Sequence, residues 1–322
     1  MSGERGILQR LIAGPVSGDA LAQEAGLTRA AMWKRIEALR EAGVEIDAQA
    51  GRGYALRHPV ELLQDEAIIG ALAPFVRAGI ASLEIAWSVD STNSELLRRE
   101  APAHGLAALI AERQTGGRGR RGKTWASPLA AHLYLSLSRQ FSGGLARLGG
   151  LSLVAGVAAA EALHASGYGR VRLKWPNDLV VEGRKLGGLL VEGGGEHAGP
   201  VRAVIGLGLN VRMPDAMAAT LDQPWVDLAQ LADQAPSRNA VAARLLTHLM
   251  PALDQFDAEG LAPFLARYAR FDALAGREVV VHLAGMTQAG TAAGIAEDGA
   301  LRVRIEGEER VFHAGEVSVR AQ

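Results

Sequence analysis

Gly116-Gly117-Arg118-Gly119-Arg120-Arg121-Gly122-Lys123-Thr124-Trp125 is the stretch on which the reading of this chain turns. Five of its ten residues are cationic or Trp, and four are Gly. Backbone amides exposed by glycine and the planar forks of arginine suit such a loop to a polyanion. Two nucleotide-binding patterns fit it by letter. Gly117 to Thr124 matches G-x-x-x-x-G-K-[ST], and Gly117 to Gly122 matches G-x-G-x-x-G. Both require a strand before the loop and a helix after it. The apolar run Leu106 to Ala111 supplies the strand. After Thr124 come Trp125, Ala126, Ser127 and Pro128, and then His132 to Ser138, which alternates like a second strand. No helix N-terminus follows to receive a phosphate. The order is strand, basic loop, strand, so neither pattern carries its usual meaning. A merely solvated basic loop would need neither four glycines nor a Trp.

Toward the N-terminus, residues 1–60 read as a small unit. Ile7, Leu8, Leu11 and Ile12 have helical spacing, and Gly14-Pro15 ends that helix. Ser17 is placed to cap a second helix, Gly26 makes a turn, and Thr28 caps a third carrying Met32, Ile36 and Leu39 on one face. Helix, helix, turn, helix is the helix-turn-helix layout. Val44 to Ile46 and Gly53 to Leu56 read as two short strands with a wing tip at Ala50 to Gly53. On the DNA-binding reading, the helix opened by Thr28 and bearing Arg29, Lys34 and Arg35 enters the major groove while Arg52 reaches a phosphate. A three-helix module for protein contacts or dimerisation is the alternative, since Glu37 and Glu41 thin the basic patch.

Toward the C-terminus, strands and helices mix up to about residue 270. Leu83 to Val89 alternates as a strand, and Thr92 with Glu95 fits a capping box for the next helix. Leu148 to Ala165 reads as a buried helix. Strands follow at Val171 to Trp175, Leu179 to Val181, Leu186 to Glu192 and Val201 to Val211, with Gly193 to Glu196 as a mobile surface loop. Hairpin-linked strands beside helices predict an α+β domain. The last fifty or so residues read as four short strands, with Asp298-Gly299 as a hairpin turn, and predict a small β-barrel.

Composition narrows the chemistry. The 322 residues are 48% hydrophobic, enough for two or three cored domains. A net charge of −1 leaves any polyanion contact to local patches. With no Cys, there is no thiolate chemistry, disulfide or Cys-based zinc site, which fits a reducing cytoplasm. No signal-peptide apolar segment and no membrane span are read. No Ser-His-Asp spacing and no metal-ligand cluster appear, and His132 and His164 are expected to pack or face solvent. What remains are polar clusters at strand ends. Asp90-Ser91-Thr92-Asn93 offers hydroxyl and amide groups or a plain cap, and Gln114 precedes the basic loop. Lys174-Trp175-Pro176-Asn177-Asp178 places Asp178 for magnesium, a nucleotide or an Asx-turn. Lys185, ahead of Gly187 and Gly188, is a point charge for a phosphate or carboxylate, or a solvent-facing turn lysine.

In order and spacing these blocks, with Gly206-Leu207-Gly208-Leu209-Asn210, resemble the bifunctional biotin–protein ligase and biotin-operon repressor family. The resemblance implies a winged helix-turn-helix domain (1–60), a mixed-sheet catalytic domain (61–270) and an SH3-like β-barrel (271–322). It implies adenylation of biotin with ATP and Mg2+, then transfer from biotinyl-5′-AMP to a lysine of a biotin carboxyl carrier protein. Biotin contacts carry over to Ser91, Thr92, Asn93, Gln114, Arg118, Gly119, Arg120 and Lys185. Gly117, Trp125, Gly188 and Asn210 belong to the same matching blocks, and Asn177 and Asp178 to the nucleotide side. Lys185, Arg118, Arg120 and Arg121 are the expected catalytic set, with no resident metal. Operator DNA, a homodimer in the adenylate-bound state and a cytoplasmic location are also implied. Two departures stand out: Arg113 replaces an aromatic, and Leu-Gly-Gly after the lysine replaces Leu-Ala-Gly. A lipoate–protein ligase is the related alternative, but it would lack the arginine-rich loop and the N-terminal module. A biotin-sensing DNA regulator without turnover is the other; it would need affinity without transition-state stabilisation.

Overall fold

The computed structural model describes residues 3–49, 51–142, 144, 148–195, 201–283, 286–314 and 318–321. At the N-terminus, α1 (Glu4–Ile12), α2 (Gly18–Ala25) and α3 (Arg29–Glu41) precede an antiparallel ribbon of β1 (Ile46–Gln49) and β2 (Gly53–Leu56). The caps fall where expected. Ser17 Oγ accepts from the Ala20 amide at 3.1 Å and Thr28 Oγ1 from the Ala31 amide at 3.2 Å, each satisfying a donor the helix leaves open. Gly26 closes α2 in the left-handed region at φ 66°. The first wing strand begins later than Val44. That residue is buried and its amide donates to Leu39 O at 3.0 Å, so it finishes α3 instead of starting the ribbon. Residue 50 of the wing tip lies outside the described residues.

The central region comprises α4 (Asp65–Gly70), α5 (Pro74–Ala78), β3 (Ile80–Ala86), α6 (Thr92–Arg98), β4 (Leu106–Ala111), β5 (Leu133–Phe141) and α7 (Leu151–Ala165). β6 (Arg172–Lys174), β7 (Asp178–Val181), β8 (Arg184–Gly195), β9 (Val201–Leu209), α8 (Asp215–Ala218), α9 (Arg238–Glu259) and α10 (Ala262–Ala269) follow. The strands form one seven-stranded sheet in the order β3-β4-β5-β9-β8-β7-β6. The β3–β4 pair is parallel and the other pairs are antiparallel, the mixed sheet expected of an α+β fold. α7 is buried along most of its length and packs against α9. Two local readings change. Gly193 to Gly195 continue β8 instead of forming a loop, pairing with Ala203, Arg202 and Val201. A side chain on Gly193 would strike the Arg202 carbonyl, so glycine there permits close strand approach. Glu196 lies outside the described residues. The helix after β3 is capped by Ser91, not Thr92, because Thr92 Oγ1 is drawn away by Gln114.

The C-terminal strands β10 (Glu278–Leu283), β11 (Met286–Ile295), β12 (Leu301–Ile305), β13 (Glu308–Phe312) and β14 (Ser318–Ala321) form a five-stranded antiparallel sheet ordered β13-β12-β11-β10-β14. Here β14 adds a strand to the expected four. Gly299, at φ 86°, turns β11 into β12. One core runs from Leu63 through α7 and α9 to Val279, Leu301 and Phe312, so the C-terminal sheet shares the central core. A second core fills the N-terminal module and takes in Leu129 and Ala130, just beyond the basic loop. Among the described residues, no helix is long and apolar enough to cross a membrane.

Candidate active site

β4 and β5 lie antiparallel, so the basic loop between them is held over one end of the sheet. Backbone bonds fix its root: the Thr115 amide donates to Val89 O at 2.9 Å and the Gly116 amide to Asp90 O at 2.7 Å. Further bonds close it on itself, with Gly119 N donating to Lys123 O at 2.6 Å and Trp125 N to Gly117 O at 2.9 Å. A side chain on Gly117 would lie 2.6 Å from Ser127 Oγ and 2.7 Å from Trp125 O, so this glycine is required by crowding. Arg121 sits at the exposed tip in the left-handed region, φ 56°.

Beneath the loop lies a buried polar floor built on α6. Ser91 Oγ accepts from the Ser94 amide at 3.4 Å. The Thr92 amide and hydroxyl both donate to Gln114 Oε1, at 2.9 and 3.1 Å, and Gln114 Nε2 donates to Ser127 Oγ at 3.1 Å. Asn93 Nδ2 donates to Leu190 O at 3.1 Å and to Glu192 Oε2 at 2.9 Å. Ser136 Oγ lies 2.7 Å from Thr92 Oγ1 and 2.6 Å from Asn93 Oδ1. A side chain at Gly206 would strike the Asn93 carboxamide. Asp90, in contrast, turns outward. Both its oxygens accept from Arg98, and these bonds lower its pKa to about 2.

The charged groups gather above and beside this floor. Arg118 donates to Ser94 Oγ and Glu192, each at 3.0 Å. Arg120 donates to Asn177 Oδ1 at 3.3 Å and to the carbonyl of Ala314, a residue of the C-terminal region; burial pushes its pKa down. Lys185 stands at the start of β8 with Nζ 2.8 Å from Asp178 Oδ1 and 5.5 Å from the centre of the Trp125 ring. The indole rests on backbone: a side chain on Gly208 would come within 2.5 Å of it, and one on Gly188 within 3.5 Å. Its Nε1–H is buried and finds no acceptor among the described residues, leaving a donor for a bound molecule. Asn210 is buried, and its Nδ2 donates to Lys185 O at 3.3 Å and Val226 O at 3.1 Å. It therefore holds the backbone of Lys185 instead of opening to the cleft. Asn177 is similarly tied, with Nδ2 donating to Leu189 O at 2.7 Å.

Three comparisons bear on this arrangement. Family models match three segments: a helix-turn-helix domain over residues 4–55, the Biotin/lipoate A/B protein ligase family over 86–210, and the biotin protein ligase C-terminal domain over 275–320. The bifunctional ligase/repressor BirA of Escherichia coli K12 is 39% identical over 305 residues, which cover 95% of this chain and 93% of that protein. The chain belongs to the bifunctional biotin ligase/repressor family. Within the wider ligase family, the biotin–[acetyl-CoA-carboxylase] ligase of Mycobacterium tuberculosis is 36% identical over 81% of this chain and 96% of its own. The biotin protein ligase of Aquifex aeolicus, solved with biotin and ATP, superposes with a TM-score of 0.64 at 26% identity, covering 75% of this chain and 100% of that one. The floor, the loop, Lys185 and Asn210 all fall inside the ligase-family segment.

Sequence reasoning missed Glu192, Ser94, Ser127 and Ser136, which bind the floor and loop together. Only Ser136 left a signal, a hydroxyl within a strand otherwise suited to full burial. On the N-terminal module, Arg29, Lys34, Arg35 and Arg52 are exposed, while the Thr28 hydroxyl is committed to its cap. Arg29 Nε lies 3.5 Å from Asp19 Oδ1.

Proposed function

We propose that this chain joins biotin to ATP as biotinyl-5′-AMP and then passes biotin to a lysine of a biotin carboxyl carrier protein. The observation that carries this reading is Lys185 Nζ on the Trp125 face, 2.8 Å from Asp178, beside the arginine loop. In the first step a biotin carboxylate oxygen bonds to the α-phosphorus of ATP, and the bond to pyrophosphate breaks. Two anions must approach each other, and an ammonium between them lowers that barrier most as charge builds in the transition state. Asp178 holds the Lys185 ammonium in place until substrate anions share it. Arg118, Arg120 and Arg121 cover the phosphates, and Trp125 forms an apolar plate that keeps water from the mixed anhydride. Ser91, Thr92, Asn93 and Gln114 bind the polar end of biotin, with Gly117, Gly119 and Gly188 giving close approach. In the second step the carrier lysine amine attacks the anhydride carbonyl and AMP leaves, so no enzyme nucleophile is used.

Among the described residues, no cluster of three His, Asp or Glu could hold a metal ion. Asp178, whose Oδ1 lies 2.8 Å from Lys185 Nζ, would hold a magnesium ion brought in on the ATP phosphates, which would supply charge neutralisation there. Residues 1–60 act in operator binding through Arg29, Lys34, Arg35 and Arg52, residues 61–270 carry the ligase chemistry, and residues 271–322 brace the loop through the Ala314 carbonyl. The adenylate-loaded form pairs as a homodimer on DNA. The test combines the full chain, MgATP, labelled biotin and an apo carrier domain. Label on the carrier lysine, dependent on ATP, is expected. Label retained as adenylate with no transfer would instead support a sensor without turnover, and absence of adenylate would point to another acyl substrate.

A further inference from the structure

The outward face of α3 carries one side chain that charge alone does not explain. Trp33 is 54% exposed, in contrast to Met32, Ile36 and Leu39, which the same helix buries. It stands one helical turn beyond Arg29 and beside Lys34, with exposed Ala30 next to it on the same face. Together with Arg29, Ala30, Ala48, Gln49 and Tyr54 it lines the cleft between α3 and the wing. The partner of this face follows from the cations it exposes. Arg29 lines the cleft and lies 3.5 Å from Asp19, Lys34, Arg35 and Arg52 are exposed on the same module, and Glu37 is neutralised by Arg40 at 2.7 Å. A helix flanked by a wing, with exposed cations on both, is the face that a helix-turn-helix module sets against duplex DNA. A cationic side chain that meets a phosphate carries no sequence information, whereas an exposed apolar ring can meet a base edge. In the major groove the apolar group on offer is the thymine C5-methyl.

We propose that Trp33 is a base-reading residue of this protein, packing its indole on a thymine methyl while the surrounding cations hold the phosphates. This rests on the operator-binding reading above. The test uses the full chain with biotin and MgATP, selecting bound duplexes from a random library. Each thymine of the selected site is then replaced by uracil, which removes only the methyl. Loss of one well-packed methyl should weaken binding about fourfold. That loss is expected at one thymine per half-site in the wild type and is expected to vanish in Trp33→Ala. The salt dependence of binding should stay unchanged in Trp33→Ala and become shallower in Lys34→Ala. Biotin adenylation, measured in the same preparations, should be unaffected and reports that the variants fold. A Trp33→Ala protein that still discriminates thymine from uracil would overturn the inference while leaving operator binding standing. So would a variant that loses affinity equally for all sequences, or one whose self-association changes, which would assign Trp33 to a second copy. Failure of the library to yield any bound sequence would remove the operator reading and the inference together.

Discussion

Arg118 shares its guanidinium between Glu192 and Ser94, so the loop is latched to β8 and α6 by one residue. A charge-assisted bond of this kind is worth roughly 1.5–3 kcal/mol. Arg118→Ala is therefore expected to release bound biotinyl-5′-AMP about ten- to a hundredfold faster while adenylation itself persists. Stopped-flow release of the adenylate measures this, and an unchanged rate would remove Arg118 from the latch. A different titration governs stability. His132 is fully buried, its Nδ1 accepts from the Val211 amide at 3.2 Å, and burial lowers its pKa to about 3. The unfolded state binds a proton below pH 6.5 that the folded state refuses until about pH 3. Stability should thus fall as pH drops through that window, by up to about 1.4 kcal/mol per pH unit from this residue. His132→Asn keeps an acceptor for Val211 and should flatten that limb in denaturation measured from pH 7 to pH 4. The sequence left His132 between packing and facing solvent; its full burial makes it a source of acid sensitivity.

Strands β8 and β9 supply the floor of the site by omitting side chains. Gly206 leaves room for Asn93, and Gly208 for the Trp125 indole. Neither has a positive φ, so alanine would meet packing conflict without backbone strain. Gly208→Ala should push the indole off the sheet, raising the biotin KM about tenfold with a smaller change in Tm. A normal KM in steady-state assays would show that the indole does not shape the biotin site. At this scale much was legible. The caps at Ser17 and Thr28, the hairpin turn at Gly299 and the strand-loop-strand arrangement around Arg118 depend on local chemistry that few residues encode. The capping of α6 was misread because Gln114, distant in sequence, competes for Thr92. The β8 glycines read as a loop because cross-strand crowding with Arg202 leaves no local trace.

Across the whole molecule, one buried ion pair joins three segments. Arg238, at the start of α9, bonds Glu112, just after β4, at 2.7 Å, and both side chains are 3% exposed. Arg238 also donates to Glu61 O at 2.8 Å and to His132 O, tying the linker below the N-terminal module to the central sheet. The module itself rests on the segment following the basic loop, where the Leu129 amide donates to Ala42 O at 2.8 Å. Removing one partner leaves the other charge buried, so Arg238→Met should cost about 3–5 kcal/mol in denaturant titration. Adding Glu112→Gln should recover part of that loss, and no recovery would mean that the Glu61 and His132 bonds dominate. Such couplings were not legible in the sequence, because Glu112 and Arg238 are far apart in the chain and each reads as an ordinary surface charge. Glu192 was missed for the same reason, whereas Lys185 and the arginine loop stood out through unusual local composition. The central claim is that Lys185 stabilises the joining of biotin to AMP. Single-turnover pyrophosphate release with saturating biotin and MgATP tests it most directly. The wild type should release pyrophosphate only when biotin is present, and Lys185→Ala should do so about a hundred- to a thousandfold more slowly at unchanged Tm. Near-normal release by Lys185→Ala, or release from the wild type without biotin, would contradict it.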